Sequence, residues 1–133
     1  MDVQPDFKEL LELFNARGVD YIIVGGYALA FHGAPRTTGD IDLFVGTAPD
    51  NAQRVLDALS EFGFGAVGLT KADFEVPNQV VQLGVPPVRV DIITSLTGVS
   101  WDEAYDDRVN GVYGDVPVFF LSREKFLSNK RAI

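Results

Sequence analysis

The chain has 133 residues, of which 47% are hydrophobic and none is cysteine, and its formal net charge at pH 7 is −8. This size fits one domain with one hydrophobic core, and the missing thiols exclude disulfides and thiolate metal sites. The acidic balance disfavours a broad surface for long DNA or RNA. No apolar run is long enough to span a membrane and no secretory signal stands out, so we expect a cytoplasmic protein.

Hydrophobic periodicity and the turn-forming residues between apolar runs predict interleaved helices and strands. In chain order we predict a helix at 6–17, a strand at 21–24, a helix at 27–31, a strand at 41–45, a helix at 50–62, a glycine-bearing loop at 63–68, strands at 80–83 and 88–93, a helix at 101–108, strands at 109–113 and 116–121, and a last helix after Ser122. Consecutive strands in the second half should form two hairpins. The order predicts one α/β (α+β) domain over 1–133, with a mixed sheet flanked by helices.

Two carboxylates, Asp40 and Asp42, lie one residue apart at the start of a predicted strand. Side chains alternate along a strand, so both carboxylates should point to the same face. They could be solvated residues on the polar face of an edge strand. However, the apolar residues around Asp42 indicate a central strand, where an ionised carboxylate is costly unless it is paired or bound to metal. We therefore favour a site for a hard cation such as Mg²⁺.

Gly25 and Gly26 lie where the strand 21–24 gives way to a helix. Glycines at such a point can be an ordinary tight turn, or they can let the backbone approach a phosphate closely. A third acid, Asp91, interrupts the apolar strand 88–93. If this strand neighbours the one at 41–45, three carboxylates converge, as phosphoryl-transfer sites with two divalent ions require.

These motifs in this order resemble the DNA polymerase beta-like nucleotidyltransferase superfamily, which has a Gly-Gly or Gly-Ser turn, an Asp-x-Asp/Glu strand and a later acidic strand residue. Further segments are similar to the small bacterial minimal nucleotidyltransferases of toxin–antitoxin and abortive-infection systems. These segments are Ala28-Leu29-Ala30, Arg36-Thr37-Thr38, residues 82–89 and Asn129-Lys130-Arg131. The resemblance covers nearly the whole chain. Relatives commonly continue into a charged helical stretch, so a C-terminal helical extension is missing or the natural protein is short.

The resemblance implies a palm-like mixed sheet that binds an NTP and two Mg²⁺ ions, with Mn²⁺ as a substitute. Gly25 and Gly26 would cradle the β- and γ-phosphates, and Asp40 and Asp42 would bridge the ions. Asp91 would bind the catalytic ion and help to deprotonate an acceptor hydroxyl. The products would be a nucleotidylated acceptor and pyrophosphate.

Four further residues are candidates for nucleotide binding: Arg36, Thr38, Arg89 and Lys130. Arg36 and Arg89 could contact the triphosphate, or could neutralise the acidic cluster through salt bridges. Thr38 could bind phosphate, although loop capping is the simpler interpretation, and Lys130 could be an ordinary surface lysine. The sequence leaves these alternatives open.

Three functions compete. The first is transfer of an NMP to a small molecule, a tRNA end or a protein side chain. The second is an antitoxin-like or regulatory binding module that docks a basic toxin–antitoxin partner through its acidic surface. The third treats Asp40-Ile41-Asp42 as the metal motif of a glycosyltransferase, and it leaves Gly25, Gly26 and Asp91 without a role. We favour the first.

Overall fold

The computed structural model describes residues 3–33, 39–63, 68–85 and 88–133. The helices in these ranges are α1 (Pro5–Ala16), α2 (Gly25–Phe31), α3 (Pro49–Phe62), α4 (Trp101–Asp106) and α5 (Arg123–Ala132), with a short 3-10 helix at Lys71–Phe74. The strands are β1 (Tyr21–Val24), β2 (Asp40–Val45), β3 (Val80–Val85), β4 (Val88–Ile93), β5 (Val109–Tyr113) and β6 (Val116–Phe120).

The six strands form one mixed sheet in the order β3-β4-β2-β1-β6-β5. Strand β2 lies in its interior, antiparallel to β1 and parallel to β4. Strand β1 also pairs in parallel with β6, and the pairs β3–β4 and β5–β6 are antiparallel. The predicted mixed sheet flanked by helices is confirmed, and the strand that carries Asp40 and Asp42 is central as predicted.

Helices α1 and α3 pack against each other and carry much of the core. The first presents a buried stripe of Phe7, Leu10, Leu11 and Phe14, and burial of each such side chain contributes about 1.5–3 kcal/mol. Gly63 ends α3 in the left-handed conformation, with φ at 107°. The amphipathic patterns therefore fix which faces of these helices pack inward.

Several predicted boundaries were wrong. Helix α2 begins at Gly25 instead of Tyr27, because the glycines belong to its first turn. Helix α4 starts with the predicted Ser100 cap but ends at Asp106, after which the Arg108 amide bonds the Tyr105 carbonyl and the chain turns into β5.

Strand β3 is longer than predicted, because its ladder with β4 continues from Val80 through Gly84 to Val85, which we had placed in the connecting loop. Strand β2 likewise begins one residue earlier, at Asp40. The 3-10 helix at Lys71–Phe74 was not predicted, although Thr70 and Asp73 form a capping box around it. Part of the predicted loop at 63–68 lies outside the described residues. Within the described ranges, no helix has the length and apolar character needed to cross a membrane.

Asn51 is a buried polar residue that ties α3 to the ends of β1 and β2. Its side-chain oxygen accepts from the Asp20 amide at 2.7 Å, and its side-chain nitrogen donates to the carbonyls of Asp20 at 3.1 Å and Gly46 at 2.8 Å. The residue is 1% exposed, so these bonds are made out of reach of water. Asn51 therefore helps to set the spacing between the two strands that lead to the site.

Asn51→Ala should lower the free energy of unfolding by about 3 kcal/mol, because it leaves several buried polar groups unpaired. Urea denaturation followed by circular dichroism measures the change. The matched control is Gln53→Ala on the exposed side of α3, where one bond to Asp57 is lost and a change below about 0.5 kcal/mol is expected. Equal losses in the two variants would contradict the proposed role of Asn51.

Candidate active site

The parallel pair β2–β4 brings the predicted carboxylates to one place on the sheet. Its register sets Asp42 opposite Asp91 and Asp40 opposite Arg89. Side chains alternate along each strand, so Asp40, Asp42, Arg89 and Asp91 all project from the same face. Residues far apart in the sequence thus form one polar cluster, and we call its three aspartates, Asp40, Asp42 and Asp91, the acidic cluster.

The carboxyl groups of Asp42 and Asp91 face each other across the two strands, close enough to interact directly. Burial, followed by the negative charges of Asp91 and Asp40, raises the pKa of Asp42 to about 6, and the Arg89 guanidinium opposes this rise only in part. Asp91 is itself 9% exposed. The pair therefore concentrates negative charge where water screens it poorly.

Among the described residues, Arg89 supplies positive charge to this cluster. Its Nε and Nη2 atoms donate to the two carboxylate oxygens of Asp91, both at 3.2 Å, and its Nε lies 3.7 Å from an oxygen of Asp40. The two aspartates in turn raise the pKa of Arg89, chiefly through the hydrogen bonds to Asp91. The structure contains the salt bridges that the sequence left open for Arg89, and its contact with a triphosphate stays a prediction.

Gly25 packs directly against Asp42. Its φ of +65° is one that residues with a side chain rarely adopt, and an added Cβ would overlap an oxygen of the Asp42 carboxylate and lie 3.1 Å from its Cγ. Gly26 follows in the first turn of α2. The Gly-Gly turn is therefore more than an ordinary turn, because its first residue lets the backbone lie beside the acidic cluster.

The donor set suits a hard divalent cation, because carboxylate oxygens are the ligands that Mg²⁺ prefers in proteins. Two facing carboxylates whose repulsion raises the pKa of Asp42 are also a place where a cation would relieve strain. Across the four described ranges, however, no group of three or more acidic or histidine side chains already encloses a metal position. Arg89 holds oxygens of Asp91 and Asp40 in the present arrangement.

Of the three remaining candidates, the structure describes Lys130. Arg36 and Thr38 lie outside the described residues, so their predicted roles stay predictions. Lys130 lies on α5, where its ammonium is 5.8 Å from the centre of the Phe126 ring. In the described part of the chain, the salt bridges of the cluster are formed by Arg89 and not by Lys130.

Gln82 is a residue that the sequence reasoning missed. It is exposed on the edge strand β3, and the register of the hairpin sets it opposite Asp91 on the same face. The available signal was the predicted hairpin itself, since antiparallel pairing of the strands at 80–83 and 88–93 sets these two positions opposite each other. The row Gln82–Asp91–Asp42 therefore crosses three neighbouring strands.

The fold is that of a nucleotidyltransferase. The structure superposes on the crystal structure of a "putative nucleotidyltransferase" from Thermotoga maritima with a TM-score of 0.67, over 98% of this chain and 86% of that one. The two sequences are 14% identical, so this likeness establishes the fold alone.

The family follows from the sequence. The profile of the aminoglycoside-2''-adenylyltransferase family matches residues 6–123, and the chain belongs to this family. The match includes the glycine turn and all members of the acidic cluster. No curated protein matches the chain significantly.

Gly25→Ala should destabilise the protein more than the same change at another glycine of similar backbone conformation. Gly68 is the matched control, because its φ is +74° but an added Cβ would meet nothing within 4 Å. Both variants incur the cost of positive φ, about 1 kcal/mol, whereas only Gly25→Ala also pushes against Asp42. Thermal unfolding of the two variants measures the difference, and equal losses would show that Gly25 does not press on the carboxylate.

The metal-free protein should lose stability as the pH rises from 5 to 7.5. The pKa of Asp42 in the folded state, about 6, lies above its ordinary value of 3.8, so the folded state binds more protons between these values. The stabilisation from this proton is complete below pH 4 and is lost as the pH rises through 6.

Asp42→Asn removes the carboxylate but keeps its shape, so it should be more stable than the parent at pH 7.5, by on the order of 1–2 kcal/mol, and about half of this advantage should be lost at pH 5. Urea denaturation in EDTA at both pH values measures the difference. If the difference in stability between Asp42→Asn and the parent protein were the same at both pH values, the raised pKa of Asp42 would be contradicted.

Proposed function

We propose that the protein transfers an NMP from an NTP to a hydroxyl acceptor and releases pyrophosphate. The observation that carries this proposal is the contact between Asp42 and Asp91 across two parallel strands, beside the Gly25 backbone, in a chain of a nucleotidyltransferase family. Paired carboxylates on a rigid sheet, next to backbone that a ligand can approach, are what two-metal phosphoryl transfer needs.

Asp40, Asp42 and Asp91 would hold two Mg²⁺ ions, for which Mn²⁺ can substitute. Bound there, the ions would neutralise the triphosphate and lower the pKa of the acceptor hydroxyl. Gly25 and Gly26 would let the β- and γ-phosphates approach the backbone, because neither carries a side chain. The Arg36 and Thr38 side chains remain candidates for phosphate contacts, as does Lys130.

The chain's own part in the reaction is to orient the groups and to accept a proton. The acceptor oxygen forms a bond to the α-phosphorus while the bond from that phosphorus to the bridging oxygen breaks, and pyrophosphate leaves. The hydroxyl proton passes to the Asp91 carboxylate or through it to water. Holding the reactants in line on a rigid sheet supplies much of the rate enhancement.

The name of the family makes ATP and an aminoglycoside the first donor and acceptor to test. An acceptor of that cationic kind also suits a chain with a net charge of −8. A tRNA end and a protein side chain, including that of a toxin–antitoxin partner, are the other acceptors to include. The alternative of a binding module without catalysis would show itself as a stable protein complex with no release of pyrophosphate.

Asp42→Asn should abolish release of pyrophosphate, with a loss of at least about 10³-fold, because it removes a proposed ligand of both ions while keeping the fold. The assay uses ATP, Mg²⁺ and the panel of acceptors, and it follows pyrophosphate and labelled acceptor together. The matched control is Asp106→Asn, the same change at an exposed position at the end of α4, which should retain full activity.

A second readout does not need the acceptor. Millimolar Mg²⁺ or Mn²⁺ with ATP should raise the melting temperature of the parent protein and of Asp106→Asn but not of Asp42→Asn, because a ligand that binds only the folded state stabilises it. Retained transfer by Asp42→Asn, or no thermal shift in the parent protein, would contradict the proposed function.

A further inference from the structure

The Arg89 guanidinium is bonded to carboxylate oxygens that the proposed metal site needs. Both carboxylate oxygens of Asp91 accept from its guanidinium at 3.2 Å, in the fork-to-fork arrangement that gives Arg–carboxylate pairs their strength. An oxygen of Asp40 lies 3.7 Å from the same Nε. The guanidinium thus lies against two of the three carboxylates that are proposed to bind metal.

This position follows from the register of the sheet. Arg89 and Asp91 are two residues apart on β4 and so share a face, and the pairing of β2 with β4 sets Asp40 directly opposite Arg89. On the other side of Arg89, the residue opposite is Gly84, on the edge strand β3. Gly84 has no side chain to block an outward rotation of the guanidinium toward the edge of the sheet.

A guanidinium and a divalent ion cannot both be fully accommodated by the same carboxylates. Within a few ångströms their positive charges repel each other, and the repulsion is strong where the carboxylates are partly buried. We propose that Arg89 is the resident counter-charge of the metal-free site, and that a divalent ion binds by displacing it from Asp91 and Asp40. This inference rests on the proposed function, since it presumes that the cluster binds metal.

The proposal explains two observations together. It explains how a cluster of three aspartates folds without a metal, because Arg89 supplies the neutralising charge during folding. It also explains why no enclosed metal position exists among the described residues, because the guanidinium holds the oxygens in another arrangement. Arg89 is in this sense a positioning residue, since it sets the arrangement of the carboxylates.

The test measures Mn²⁺ binding in the absence of nucleotide, by the loss of the free-ion signal in electron paramagnetic resonance. Arg89→Met keeps the length of the side chain but removes its charge and its donors, and it should bind Mn²⁺ about tenfold more tightly than the parent protein. Arg89→Lys keeps the positive charge but loses the paired donors of the guanidinium. Its affinity for Mn²⁺ should therefore lie between those of the parent protein and Arg89→Met. Lys8→Met is the matched control for loss of one positive charge, because Lys8 pairs with Asp115 in the β5–β6 turn, and it should leave the affinity unchanged.

Thermal unfolding separates displacement from a purely structural role. In EDTA, Arg89→Met should melt below the parent protein, because its aspartates lose the charge of the guanidinium and its hydrogen bonds to Asp91. Saturating Mn²⁺ should bring the two melting temperatures together, because in both proteins the ion then neutralises the aspartates. A structural role unrelated to metal predicts a gap of the same size with and without Mn²⁺.

A second measurement uses the parent protein, so that it does not depend on a variant that folds. The Nε–H signal of Arg89, assigned in nitrogen-15 spectra by its loss in Arg89→Lys, should move on titration with Mg²⁺ as its bond to Asp91 breaks. An affinity of Arg89→Met within twofold of the parent, or an Nε–H signal unmoved at saturating Mg²⁺, would overturn the displacement. Failure of both parent and variant to bind any divalent ion would instead contradict the metal site, and with it the proposed function.

Discussion

The structure depends on the contact between two like-charged groups, the carboxyls of Asp42 and Asp91, on neighbouring parallel strands. Bringing them together costs free energy, which is why burial and repulsion raise the pKa of Asp42 to about 6. The fold bears this cost because β2 and β4 are held in one register by the sheet, with apolar residues on its other face. Two neighbouring features follow from the same pair. Gly25 leaves room for Asp42 because it has no side chain, and the Arg89 guanidinium bonds to Asp91.

Function and stability are opposed at this cluster. Removing the Asp42 charge should make the metal-free protein more stable, yet the charge is what a divalent ion would bind. Natural sites often retain such unfavourable groups where a ligand later relieves them. Arg89 reduces the cost in the absence of metal, and the raised pKa of Asp42 shows that it does so incompletely.

Much of this arrangement could be predicted from the sequence, for a physical reason. The alternation of Asp40, Ile41 and Asp42 fixes which side chains share a face, and an isolated acid within the apolar strand of Asp91 marks the same kind of position. Local patterning also sufficed for the sheet and the long helices. The chain belongs to the aminoglycoside-2''-adenylyltransferase family, and this supports the class of activity that the motifs indicated.

The rest depends on contacts between distant segments, which local patterns do not contain. The salt bridge of Arg89 to Asp40 follows from the cross-strand register, and so does the position of Gln82 beside Asp91. The need for glycine at position 25 arises from its distance to Asp42, which no feature of the turn reveals. The 3-10 helix was missed because its four residues are too few to show a helical period.

The most direct test of the central claim is a crystal of the protein soaked in Mn²⁺ and measured for anomalous scattering. The account predicts an anomalous peak at coordination distance, about 2.0–2.3 Å, from carboxylate oxygens of both Asp42 and Asp91, with the Arg89 guanidinium turned away from Asp91. A peak only at other surface carboxylates, with the Asp91–Arg89 fork intact, would contradict it.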